Sequence, residues 1–241
     1  MAKEKKKKGK LKRALGNFLI LLLILIGLAL VFNNQIKDFL IGLWGRDAVT
    51  HVTAKEIKDN QDAPATFDFD DVQSASTQAL IKARLSKQRL HVLGAIAIPE
   101  VKLNLPVFKG VSNLALLTGA GTMKEEQVMG GMNNYSLASH WMYNPRLLFA
   151  PLKRVKVGNT IYLTDLTMVY TYRVTQKYEI NKEHGEVIFD HDGKSEVTLV
   201  TCSGRHSETR VIVTGELESE VEFDKAPDDI LNALNQNLSN R

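Results

Sequence analysis

One cysteine, Cys202, stands among 241 residues, and that scarcity excludes an internal disulfide framework in any compartment. The body of the chain also has no basic excess. Residues 1–32 carry seven lysines and Arg13 against Glu4, which is 8 − 1 = +7, so the formal net charge of +4 leaves 4 − 7 = −3 for the rest. A slightly acidic body argues against nucleic acid as a partner, because such proteins meet phosphates with a basic face. No internal repeat is found. The glycine-bearing loop within 111–132 lacks the GxxxxGK[ST] spacing of a phosphate cradle. A small-x-small cleavage site is missing after the long apolar run, where the sequence reads Asn33-Asn34-Gln35-Ile36-Lys37. What remains is ordinary for a globular chain: 44% hydrophobic and 24% charged residues, enough for a core in one large or two small domains.

The apolar run itself spans Phe18 to Phe32 without a break. Counted from Ala14 it is 19 residues interrupted only by Asn17, enough to cross a bilayer as a helix. Its basic flank lies on the N-terminal side, so the positive-inside rule keeps residues 1–13 cytoplasmic and sends the remainder outward. The reading is an uncleaved signal anchor at 14–32, with the body outside the cell membrane. Apolar residues at helical spacing continue from Ile36 to Trp44, with Trp44 as an interfacial anchor. Residues 33–75, polar and acidic after Thr50 and containing Pro64, read as a stalk or linker. An amphipathic helix is expected over Val72–Arg89, with Val72, Ala75, Ala79 and Ala83 on one face.

From Leu90 the period changes. Strand-like runs occupy 91–98, 101–108, 134–142, 160–163, 168–177 and a final hairpin, with Gly, Pro and Asn-rich links between them. A helix-turn followed by a glycine-rich loop is expected in 111–132, a long polar connection in 181–196, and a short terminal helix over 227–238. Many short strands with few helices predict an all-β domain at 76–241, an antiparallel barrel or sandwich.

The most informative stretch is Val197-Thr198-Leu199-Val200-Thr201-Cys202, a β-branched run stopped by Ser203-Gly204. A second run, Thr209 to Leu217, begins seven residues later. The two read as a hairpin that returns Arg210 beside Cys202. A thiol nucleophile needs thiolate character and a proton donor for its leaving group. His51, His184, His191 and His206 lie in polar links, and His91 begins a strand. His140 differs, because it ends an apolar strand and must find a partner or face a cleft. Bland alternatives stay open for all three: Cys202 as a small buried hydrophobe, His140 as a satisfied core histidine, Arg210 as a strand-surface cation.

Together, an anchor, a β domain, Ala138-Ser139-His140, TLVTC at 198–202 and Thr209-Arg210-Val211 resemble the sortases of Gram-positive bacteria. The loop GAGTMKEEQVMGG at 119–131 and the tail FDKAP at 223–227 are similar to the class A, streptococcal type. The likeness is close from about residue 80 onward. One departure is Trp141-Met142 after the histidine, with a short Tyr143-Asn144-Pro145 link to Arg146. The resemblance implies an eight-stranded closed β-barrel preceded by a transmembrane helix. It also implies a transpeptidase that cleaves an LPxTG sorting signal between Thr and Gly and passes the acyl group to the amine of a lipid II type peptidoglycan precursor. By the same resemblance Cys202 is the nucleophile, His140 the general acid then base, Arg210 the oxyanion ligand, and Thr201, Ala138 and Ser139 substrate contacts. No cofactor and no metal are implied. Glu125, Glu126, Glu183, Glu186, Asp190 and Asp192 flank the positions where some class A sortases hold calcium. Lys124, Lys182 and Lys194 are interspersed, and calcium-independent activity is expected. The chain ends in NQNLSNR without an LPxTG signal or hydrophobic tail, so it is not expected to be a substrate of its own reaction.

Two other classes compete. A papain-like protease would need an orienting Asn or Asp and usually a cysteine on a helix. A non-enzymatic anchored binding domain would carry an inert thiol. Pilin-polymerising sortases typically add a lid and a C-terminal membrane helix, neither of which is found here.

Overall fold

A computed structural model describes residues 2–47, 52–86, 88–204 and 207–238, in two compact units, 1–39 and 40–241. His51, Lys87 and His206 lie outside the described residues, as does the side chain of Trp44.

The first unit is mainly helix α1 (Ala2–Val31), whose large apolar side chains from Leu15 to Val31 are exposed. Helix α2 (Asn33–Asp47) follows. Among the described residues no single helix is long and apolar enough to cross a membrane. The pair Leu15–Val31 and Asn33–Leu43 together meet that length and composition, with a 74° bend between them.

The second unit is a closed barrel of eight strands: β1 (Val92–Ile98), β2 (Leu103–Phe108), β3 (Ala120–Thr122), β4 (Asn134–Ala138), β5 (Thr160–Thr164), β6 (Met168–Asn181), β7 (Glu196–Cys202) and β8 (Thr209–Glu222). Around the barrel they run β1-β2-β3-β4-β7-β8-β6-β5. The pairs β2/β3 and β4/β7 are parallel and all others antiparallel. Period-two alternation sends Ile96, Ile98, Leu137, Leu163, Val197 and Leu199 into one interior cluster. The opposite face of β1 carries Ala95 and Ala97, and these small residues let Phe223, Ala226 and Leu234 pack over it from the C-terminal segment and helix α6 (Asp228–Leu238). Gly94, at the bulge in β1, has φ +145°, and a Cβ there would meet the Thr164 carbonyl at 1.8 Å.

Two departures from the sequence reading have clear causes. Within the stretch read as stalk, residues from Thr53 to Gln73 lie along the barrel. Helix α3 (Ala54–Gln61) opens with a capping box between Thr53 and Glu56 and buries Ile57 to 2% exposure. Asn60 Nδ2 donates to the Val92 carbonyl at 2.9 Å, and the backbone N–H groups of Val111 and Gln73 donate to Thr66 O (2.8 Å) and Asn113 Oδ1 (2.7 Å). The stretch that suggested a linker is thus tied to the barrel through its backbone at Thr66 and Gln73 and the side chain of Asn60. Second, the helix expected from Val72 begins at Thr77, as α4 (Thr77–Leu85), because Ser76 caps it by accepting from Ala79 N. Its Ala79, Leu80 and Ala83 pack on Leu114 and Leu117 of helix α5 (Asn113–Thr118).

Candidate active site

Strands β4 and β7 run parallel and end together, and β8 starts where β7 ends. In β7–β8 the register pairs Cys202 with Arg210 directly, as the hairpin reading required. In β4–β7 it pairs Ala138 with Val200, and that register continued two residues past the strand sets His140 level with Cys202. Alternation completes the placement. Val197, Leu199 and Val211 point inward, which puts Cys202, His140 and Arg210 on the outer face of one barrel end. Cys202 is half-buried and unbridged.

Hydroxyl groups hold this end together. Thr201 Oγ1 donates to the Ser139 carbonyl at 2.8 Å, and Ser139 Oγ donates to the Gly119 carbonyl at 2.6 Å. Ser139 N reaches the Val200 carbonyl at 3.3 Å, extending the β4–β7 pairing one step past the strand. Thr201, Ser139 and Ala138 are all buried, Thr201 to 2% exposure. The Thr201 and Ser139 hydroxyls, by donating to backbone carbonyls, brace the strand ends that carry His140 and Cys202, and a hydroxyl so engaged can still accept from a substrate amide.

His140 Nε2 is wholly buried and has no hydrogen-bond partner among the described residues. Burial disfavours the imidazolium and pushes the pKa of His140 down to about 4, so the ring is neutral near pH 7. Among the described residues the Nε2 of a satisfied core histidine would have a partner, and this one has none. A buried ring nitrogen left open at a barrel mouth is a proton site awaiting a ligand. Arg210, half-exposed, donates from one nitrogen to the carbonyls of Ser207 (3.0 Å) and Thr209 (3.1 Å), which fixes the guanidinium at the strand start.

Beyond His140 the chain makes an excursion that returns when Phe149 N donates to the His140 carbonyl at 3.2 Å. Within it Trp141 and Tyr143 meet edge to face, centroids 5.0 Å apart. The acidic residues considered for calcium are partly engaged. Asp190 holds Lys124 and accepts from Asn134 N at 2.8 Å, and Glu186 pairs with His184 at 2.7 Å. No group of three or more His, Cys, Asp or Glu disposed to hold a metal is found among the described residues.

Sequence reasoning missed the parallel β4–β7 pairing, which joins residues about sixty apart, and the three-residue strand β3. Gly119 and Gly121, each close against neighbouring backbone, were the local signal for β3.

A fold of this topology, with a cysteine and an arginine paired at a strand end beside a buried histidine, is that of a cysteine acyl-transfer enzyme. Residues 96–218 match the sortase domain family. Sortase A of Streptococcus agalactiae serotype III (strain NEM316) is 44% identical over 90% of both chains, and Sortase A of Listeria monocytogenes is 39% identical over 85% of this chain and 92% of its own. A solved structure of Listeria monocytogenes sortase A superposes with a TM-score of 0.55 at 38% identity, covering 62% of this chain and 99% of the other. The chain belongs to the sortase family, with class A its type. It is a cysteine transpeptidase that anchors surface proteins, acting on LPxTG-bearing proteins and a cell-wall amine.

Proposed function

We propose that Cys202 is the nucleophile, His140 the proton carrier and Arg210 the oxyanion ligand of this transpeptidation. The supporting observation is the double register: Cys202 opposite Arg210, and His140 brought level with Cys202 by β4. The Cys202 thiol attacks the carbonyl of the threonine in the sorting signal, and neutral His140 accepts the thiol proton. The Arg210 fork donates to the developing oxyanion. His140 then passes its proton to the departing glycine amine, leaving a thioacyl enzyme. The incoming amine attacks the thioester, gives its surplus proton to His140, and the thiolate recovers that proton as the amide product leaves. Thr201, Ala138 and Ser139 are the substrate contacts of this scheme, and the hydroxyls of Thr201 and Ser139 also brace the two strand ends.

The acceptor is taken to be a lipid II type precursor. The location is the outer side of the cell membrane, with 1–13 cytoplasmic, 14–32 as anchor and 76–241 as catalytic domain, against which residues 53–73 of the intervening segment pack. The exposed apolar side chains along Leu15–Val31 support this reading, because such a surface is stable in lipid and costly in water. Incubation of the full chain in detergent with an LPxTG peptide, followed by mass spectrometry, tests the chemistry. An acyl adduct on Cys202 that an added amine discharges is the expected result; an adduct elsewhere, or none, overturns it. Protease added to intact protoplasts should remove the domain, and protection of it would refute the orientation.

A further inference from the structure

We infer that Trp141, Tyr143, Arg146 and Lys153 form an acceptor subsite beside the catalytic histidine, which takes the sugar and pyrophosphate portion of the cell-wall precursor. The inference rests on the acceptor proposed above and assigns it a place. Residues 141–148 are held between His140 and Phe149 by the backbone bond that closes the excursion. Arg154 braces the same segment by donating to Pro145 O at 2.6 Å and Val101 O at 2.9 Å. Trp141 is seated against a buried cluster that includes Met142 and Leu148. Tyr143, 67% exposed, stands edge-on to it with a 63° angle between rings. Tyr143 therefore presents an aromatic ring to solvent just beyond His140, beside a half-buried Trp141 whose ring the Lys153 ammonium overlies.

Its charge indicates the occupant. Between Gln127 and Thr164 the sequence contains Arg146, Lys153, Arg154 and Lys156 and no Asp or Glu. Arg154 is occupied with carbonyls. The Lys153 ammonium lies 5.6 Å from the Trp141 ring centroid. Among the described residues neither Lys153 nor Arg146 is ion-paired. Aromatic faces suit the C–H faces of sugar rings, and unpaired cations suit a pyrophosphate. A lipid-linked disaccharide carries both, and its peptide amine can extend from them toward His140. The competing occupant is an acidic stretch of the sorting signal beyond its glycine.

The test uses the full chain in detergent micelles with three acceptors: hydroxylamine, a soluble disaccharide–peptide lacking pyrophosphate, and a lipid-linked disaccharide–pentapeptide. Tyr143→Ala is suitable because the side chain is exposed. It should raise KM for both sugar-bearing acceptors about tenfold with kcat within about twofold, as loss of binding alone requires. Arg146→Gln with Lys153→Gln should raise KM about tenfold for the pyrophosphate-bearing acceptor only, and the difference from wild type should shrink at high salt. Transfer to hydroxylamine should move by less than about twofold in both variants. An unchanged KM for the lipid-linked acceptor overturns the inference. So does an equal loss with hydroxylamine, which would make the loop a support for His140, or a slowed acylation of Cys202, which would give the face to the sorting signal. Wild-type enzyme that is acylated yet never transfers to the lipid-linked acceptor would refute the underlying acceptor assignment, and is distinguishable from all of these.

Discussion

The two ends of the barrel are made from the same strands and enclose opposite kinds of space. Where β4 and β7 finish, half-buried Cys202 and Arg210 stand with His140, whose Nε2 is buried, beside a braced loop. Where those strands begin, a cavity of about 630 Å³ is lined by Lys109, Lys124, Glu125, Glu126, Met129 and Tyr135, among others, and by none of the three reactive residues. This cavity and the residues proposed for catalysis therefore lie at opposite ends of the barrel. A transpeptidase works on an extended peptide and must admit a second one, a task that strand ends with fixed donors can serve. The cavity end is tied instead by ordinary structural contacts: Lys124 with Asp190, and Tyr172 accepting from Gly130 N at 3.0 Å.

The largest effect that would sharpen this contrast is loss of the thiol. Cys202→Ala should abolish both acyl adduct and transfer, while Glu126→Ala at the cavity end should leave turnover within about twofold. Residual transpeptidation by the first variant would mean a second nucleophile. Next comes Arg210→Lys, which keeps the charge and loses the fork. It should lower kcat for acylation on the order of 100-fold, the loss typical of one oxyanion donor, in single-turnover assays. An unaffected rate would return Arg210 to a surface role.

Acid should also separate the ends. Because burial holds His140 down to about 4 in the folded chain, against an ordinary 6.5, the unfolded chain takes the proton first as pH falls. The neutral ring's contribution is complete above pH 6.5 and is lost between there and about 4, by up to about 3 kcal/mol. His91, lowered chiefly by burial, acts in the same direction and is unchanged in a His140→Asn variant. Denaturant midpoints at pH 8 and pH 4.5 should therefore differ less in His140→Asn than in wild type; equal differences would contradict the burial. The smallest effect concerns calcium. Activity in chelator and in millimolar calcium should agree within about twofold, because Lys124 already occupies Asp190 at the loop where the ion would sit. A several-fold rise lost on Asp190→Ala would break that expectation.

The parts of this design readable from sequence are those built from neighbours. The β7–β8 hairpin needed only two β-branched runs and a short polar link, and Cys202 opposite Arg210 followed from it. His140 was visible as a polar ring ending an apolar strand, yet its partnership with Cys202 was not, because a parallel pair leaves no local trace. The segment carrying Asn60 was misleading for a different reason. A short polar helix that buries chiefly Ile57 has the composition of a linker, and only its bond to Val92 reveals otherwise. The bonds of Thr201 and Ser139 were hidden similarly, since sequence does not show which carbonyl a hydroxyl will serve.

The bond from Thr201 to the Ser139 carbonyl spans 62 positions of the chain. In folding terms such a contact arrives late, after the hairpin that already aligns Cys202 with Arg210. On the roles proposed above, a chain paused at the hairpin holds the thiol beside a cation but without the imidazole. The relay proposed for His140 then exists only once β4 has paired with β7.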